Sequence, residues 1–218
     1  GGATLSLLNA NEGVPLMAVA NHLIAAPSEW LKHLAEVAVA VAHAKKIAAP
    51  TEFAQLAPSP VAVAIANSLL SGEPRAVLLG NAAAHHPQTA QLHAIAQWIA
   101  HHTDAQFGYL TEGANTVGGY LANAVPADRA VAQSFFRQSK KAYLVLHAEP
   151  ELDCANPQQA RAALDQAEMV VLMSPYKHGT EYADVLLPVA PFSETSGTFV
   201  NAEGRVQGFN GSTRPLAD

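Results

Sequence analysis

"EMVVLMSPYKHGTEYADVLLPV", residues 168–189, carries two short apolar runs on either side of a polar loop. Neither run alternates polar with apolar side chains. Each therefore reads as a strand buried on both faces, the pattern of a parallel sheet rather than a half-solvated antiparallel one. Working back along the chain, "AYLVLH", "AQFGYL" and "AVLLG" read the same way, and amphipathic stretches separate them. "PQTAQLHAIAQWIAHH" is one such stretch, and "QQARAALDQA" is another, capped by Asn156 with Pro157 at its first position. Short apolar strands alternating with helices give an α/β fold: a doubly wound, mostly parallel sheet with helices on both faces.

Upstream, two helices form an N-terminal helical extension. The first spans about Ser28 to Lys46, capped by Ser28, with Trp30, Leu34, Val37 and Val41 at helical spacing. The second starts at the cap Ser59 with Pro60 behind it and stops at Gly72. Val61, Ile65 and Leu69 make its apolar face. A short helical piece is also expected between the glycine-rich loop "TEGANTVGG" and "VPADRAVAQSFFRQ". Downstream, "TFVNAEGRVQGF" (198–209) reads as a hairpin. Gly204 takes its left-handed position, and Glu194, Asn201 and Arg205 pair locally. The expected division is a helical segment at 1–72, an α/β domain at 73–192, and a terminal hairpin and tail at 193–218.

Composition narrows the function. Of the 218 residues, 50% are hydrophobic and only 6% aromatic, which suits a large core of closely packed alanine-rich helices. The formal charge is −6 and the 12 Lys and Arg residues are scattered, so nucleic acid is not an expected partner. Lys45-Lys46 reads as a helix-dipole partner. Cys154 is the single cysteine, so no internal disulfide or thiolate-held cluster can form, and an intracellular setting is expected. "LAEVAVAVAHA" is the longest apolar stretch and is interrupted by Glu36 and His43, so no direct membrane insertion is expected. No signal peptide is visible, and the leading Gly1-Gly2 reads as a cloning remnant on an excised piece.

In an open parallel sheet, ligands bind beyond the carboxyl ends of the strands. The loops to weigh are "GNAAAHHP", "TEGANTVGG", "HAEPELDCANP" and "SPYKHGTEYAD". None contains G-x-G-x-x-G or G-K-[ST], so ordinary dinucleotide or triphosphate binding is not expected. The glycines of "TEGANTVGG" read as a turn needing positive φ. His93 and His101 lie about 12 Å apart along one helix and cannot share an ion. They read, with Gln97, as a solvated face. His85-His86 follow a strand, but neither a nearby carboxylate nor a third histidine in register is expected beside them. Cys154 sits beside Glu151 and Asp153, which oppose a thiolate, so nucleophilic catalysis is not expected.

The tail then gains a second reading. "EYADVLLPVAPFSETSGTFVNAEGRVQ" resembles the pattern A-D-x-x-L-P-x-x-x-x-x-E-x-x-G-T-x-x-N-x-E-G-R-x-Q of the molybdopterin-oxidoreductase superfamily, matched at Ala183, Asp184, Leu187, Pro188, Glu194, Gly197, Thr198, Asn201, Glu203, Gly204, Arg205 and Gln207. "HPQTAQLHAIAQWIA" and "GYLTEGANTVGGYLANAVP" are similar to one branch, the G subunits of bacterial NADH:quinone oxidoreductase, respiratory complex I. The resemblance runs over Ala76 to Pro126 and Ala167 to Gly208. It implies a non-catalytic structural domain of a peripheral-arm electron-transfer subunit. Iron–sulfur clusters are expected in the N-terminal part of the parent chain, and no cofactor in this piece. It also implies other peripheral-arm subunits as partners, and a peripheral location on the cytoplasmic side of the bacterial inner membrane. The alternative is a cofactor-contacting domain of a molybdopterin-guanine-dinucleotide oxidoreductase, with Asn81, Glu112 and Asn115 as its candidate binding residues.

Overall fold

A computed structural model describes residues 3–13, 15–126 and 134–215. The chain divides into two units, 1–112 and 113–218.

In the first unit, strands β1 (Ser6–Asn9) and β2 (Asn21–Ile24) pair in parallel, as do β3 (Ala76–Leu79) and β4 (Gln106–Tyr109). Between them in sequence come α1 (Trp30–Lys45) and α2 (Pro60–Ser71). The short α3 (Asn81–Ala84) and then α4 (Thr89–Thr103) link β3 to β4. The core joins Val37, Ala38 and Val41 of α1 to Ala62 and Ala66 of α2 and to Ile95 and Ile99 of α4. Helix α1 is buried without a break from Ala35 to Ala42. It is enclosed on every side, where the sequence predicts a single stripe, and its small side chains let helices approach from several directions.

Glu36 lies inside this core at 5% exposure, and its Oε2 accepts from the Ser59 backbone N–H at 3.2 Å. Ser59 in turn caps α2 through Ala62 N. A carboxylate in α1 therefore holds the positive N-terminal end of α2 and satisfies a donor that the helix itself leaves open. At the far end, Lys45 Nζ donates to the His102 carbonyl at 2.7 Å, so the lysine serves the C-terminus of α4 as well as its own helix.

In the second unit, β5 (Ala142–Leu146), β6 (Met169–Ser174) and β7 (Val185–Pro188) form a parallel sheet in that order. Helix α5 (Thr116–Leu121) precedes it, α6 (Pro150–Asp153) and α7 (Pro157–Asp165) cross from β5 to β6, and β8 (Gly197–Val200) and β9 (Val206–Phe209) make an antiparallel hairpin. Ala163 and Leu164 of α7 cover Tyr143, Val170 and Leu172 on one face. The opposite face, also expected beneath helices, leaves Leu144 and Leu146 at 70% and 58% exposure.

The parallel α/β class agrees with the sequence reading, but several details differ. Residues 1–72 are not only helical, since β1 and β2 lie there. Each holds only two apolar residues, Leu7-Leu8 in β1 and Leu23-Ile24 in β2, beside polar ones, so neither stands out as an apolar run. Helices α1 and α2 pack on the rest of this unit, sharing their core with α4. Ser28 lies in a 3₁₀ turn, Pro27–Glu29, rather than at a helix cap. The buried face of α2 centres on Ala62 and Ala66, with Ile65 and Leu69 packed against the cluster.

Candidate functional site

Leu79 and Tyr109 are in register, so the loops leaving β3 and β4 emerge side by side. Gly80 turns the chain into α3, which places Asn81 at its start, and Leu110 leads to Glu112. Asn81 Nδ2 donates to Glu112 Oε2 at 3.0 Å, and His85 Nε2 stands 4.0 Å from the same oxygen. The His85 and Glu112 side chains are 74% and 73% exposed, so this pairing is well hydrated and contributes little to stability. It offers a donor and a carboxylate for hydrogen-bonded recognition.

Asn115 belongs to the second unit. Its Oδ1 accepts from the Val200 backbone N–H of β8 at 2.8 Å. Gly118 completes that arrangement, because a Cβ there would stand 1.9 Å from the same oxygen. The glycines of this loop are not among the described positive-φ residues; at Gly118 the requirement is room for the Asn115 amide, not a left-handed backbone.

The tail motif is spent on geometry. Gly204 has φ +82°, as the hairpin reading requires. Asn201 Oδ1 accepts from the backbone N–H groups of Glu203 and Arg205 at 3.0 and 2.9 Å, which folds the loop onto one side chain. A Cβ at Gly197 would meet the Phe209 ring at 2.6 Å. Asp184 Oδ2 accepts from Val170 N at 2.7 Å and ties the start of β7 to β6. The expected pairing of Glu194 with Arg205 is not among the described ion pairs; the neighbouring Ser193 carbonyl accepts from Ser212 instead.

His86 and His93 make structural contacts. His86 Nε2 lies 3.0 Å from the Pro27 carbonyl, with its ring tilted over Trp30. His93 is not solvated: its Nδ1 lies 2.7 Å from the Tyr109 hydroxyl, and its ring packs against Phe107 and Tyr109. The β4 strand covers this side of α4, which helical periodicity alone could not show. Among the described residues, no cluster of three or more His, Cys, Asp or Glu is placed to hold a metal.

One cluster was missed in the sequence. The Tyr182 hydroxyl donates to Glu151 at 2.8 and 3.0 Å, and the Arg161 guanidinium carbon lies 4.8 Å from the Tyr182 ring centroid. Burial, then the bond to Glu151, push the phenol far above its ordinary range, so it stays neutral and acts as a strut. Tyr182, Arg161 and Glu151 are far apart in sequence, and nothing local announces their contact. Burial, then Asp153 and Glu151, also raise the Cys154 thiol, which leaves it a poor nucleophile. His178, in the β6–β7 loop, has both ring nitrogens buried and without hydrogen-bond partners among the described residues.

The chain is similar in sequence and fold to several known proteins. The G subunit of the Streptomyces coelicolor NADH-quinone oxidoreductase is 41% identical over 86 residues, covering 39% of this chain and 10% of that protein. Its Mycobacterium tuberculosis counterpart is 44% identical over 75 residues, covering 34% and 9%. A protein named as a formate dehydrogenase of Staphylococcus haemolyticus is 39% identical over 59 residues, covering 27% and 6%. The chain thus aligns with about a tenth or less of each relative's length. Among solved structures, the formyltransferase/hydrolase complex FhcABCD of Methylorubrum extorquens contains a chain that superposes with a TM-score of 0.58 over 98% of this chain and 61% of its own, at 14% identity, a likeness of fold alone. No helix among the described residues is long and apolar enough to cross a membrane. The family described as molybdopterin oxidoreductase matches residues 21–218, nearly the whole chain, and the chain belongs to that family.

Proposed function

We propose that this chain is a non-catalytic structural domain of the peripheral-arm electron-transfer subunit of a NADH:quinone oxidoreductase. The observation that carries this reading is the Asn115–Val200 bond with Gly118 beside it, by which a polar side chain of the strand-end loop fastens the hairpin. Relatives named as G subunits of that enzyme support the choice of complex. On this reading, the parent chain carries iron–sulfur clusters outside residues 1–218, its partners are the other peripheral-arm subunits, and it sits on the cytoplasmic side of the bacterial inner membrane.

A second reading, a cofactor-contacting domain of a molybdopterin-guanine-dinucleotide oxidoreductase, draws support from the unpartnered ring of His178 and from the formate dehydrogenase relative. There Asn81 and Glu112 would hydrogen-bond the guanine end of the cofactor. Metal analysis of the complete gene product separates the two. Iron without molybdenum, together with unchanged NADH:quinone turnover in Asn81→Ala and Glu112→Gln, fits the structural domain. Stoichiometric molybdenum overturns it.

A further inference from the structure

Strands β1 and β3 each pair on one side, with β2 and β4, and belong to separate two-stranded sheets. A cavity of about 400 Å³ runs along their other edges. One wall is the consecutive run Thr4 to Asn9 and the other the consecutive run Ala76 to Gly80, whereas β2 contributes Leu23 alone and β4 nothing. Successive strand residues point to opposite faces, so an unbroken run lines a cavity only along a strand edge.

The backbone confirms the direction of those edges. The Leu5 and Asn9 carbonyls accept from Asn21 and Ala25, and the Arg75 and Leu79 carbonyls accept from Gln106 and Leu110. Backbone groups in a parallel ladder alternate sides, so Ser6, Leu8, Ala76 and Leu78 direct their N–H and C=O groups into the cavity. Its floor is helical, with Leu34, Val37, Ile65, Leu69 and Leu92 among the side chains that close it.

We infer that this cavity is a slot for one further β-strand, supplied by a segment of the full-length polypeptide outside residues 1–218, giving the order β2–β1–strand–β3–β4. Two facing edges of free peptide groups call for a peptide, since strand addition satisfies both ladders at once. The slot takes about four to six residues, with alternate side chains aliphatic to meet the helical floor. The length of the relatives, of which the aligned stretches are 10% and 9%, provides ample chain for the purpose.

Hydrogen exchange by mass spectrometry, on the complete gene product purified free of other subunits and on the 218-residue chain, tests this. Peptides covering Thr4–Asn9 and Ala76–Gly80 are expected to exchange roughly tenfold or more slowly in the complete product. Equal exchange in the two proteins, whether fast or slow, overturns the inference. So does protection that appears only when other subunits are added, or a gene product of 218 residues. Ala76→Pro removes a slot-facing N–H at the first residue of β3, where proline is tolerated. It should restore fast exchange at Thr4–Asn9 in the complete product and leave the short chain unchanged. Retained protection there would also overturn the inference.

Discussion

Asn115 and Val200 are 85 residues apart, and a 2.8 Å bond from the Val200 N–H to the Asn115 carboxamide joins them. Through it the glycine-rich loop after β4 and the terminal hairpin become one structure. Val200 is buried at 9% exposure, so water cannot readily replace the lost acceptor. Asn115→Ala should cost about 1–3 kcal/mol in denaturant unfolding. Faster exchange at the Val200 amide would locate the loss; an unchanged midpoint would show the bond to be dispensable.

Gly118→Ala tests the same contact from the other side, since the new methyl would meet the Asn115 oxygen. The two substitutions should be strongly non-additive in a double-mutant cycle, with the alanine at 118 much less harmful once Asn115 is truncated. Additive effects would place the Gly118 constraint elsewhere.

Gly179 is constrained twice. Its φ is +62°, and a Cβ would stand 2.5 Å from Leu172 and 2.8 Å from the Tyr182 ring. Backbone strain and overpacking together predict a loss of about 2–4 kcal/mol for Gly179→Ala. Thermal unfolding would read it as a clear drop in Tm.

Tyr182 makes stability depend on alkaline pH. Burial first, and Glu151 second, raise its folded pKa above the unfolded value of 10.0, so the folded state holds the phenolic proton more tightly. Its contribution is complete below pH 10 and falls as pH rises through and beyond that value. Cys154, also raised, adds a loss of the same sign that begins near 9.0. Tyr182→Phe should flatten the alkaline limb of the stability profile while leaving the cysteine part, as urea midpoints between pH 8 and 11 would show.

Glu36→Ala leaves the Ser59 N–H without its acceptor inside the core. About 1–3 kcal/mol should be lost, and Glu36→Gln, which keeps a carbonyl oxygen, should lose less. Equal losses would instead assign the role of Glu36 to its charge beside the α2 terminus.

Much of this architecture was legible in sequence, for identifiable reasons. β3 to β7 are continuous apolar runs, the Ser59–Pro60 and Asn156–Pro157 pairs mark real helix starts, and Gly204 sits where its φ demands. The failures share one cause, that tertiary neighbours are invisible to local pattern. His93 looks solvent-facing until β4 is laid beside it, and β1 and β2 each carry only two apolar residues among polar ones. Asn115 was singled out from its loop, but only the hairpin shows how its oxygen is engaged.

The alanines of α1 carry a further consequence. "AEVAVAVAHA" has almost no compositional variety, yet Ala35, Ala38 and Ala42 have no exposed surface at all. A helix enclosed at that spacing cannot exchange its methyls for larger groups without moving a neighbour, because interiors are packed to near-crystalline density. The plainest stretch of the chain is therefore the one with the narrowest choice of residue at each position. An engineer seeking places to diversify this domain should begin in the polar loops and leave the monotonous helix alone.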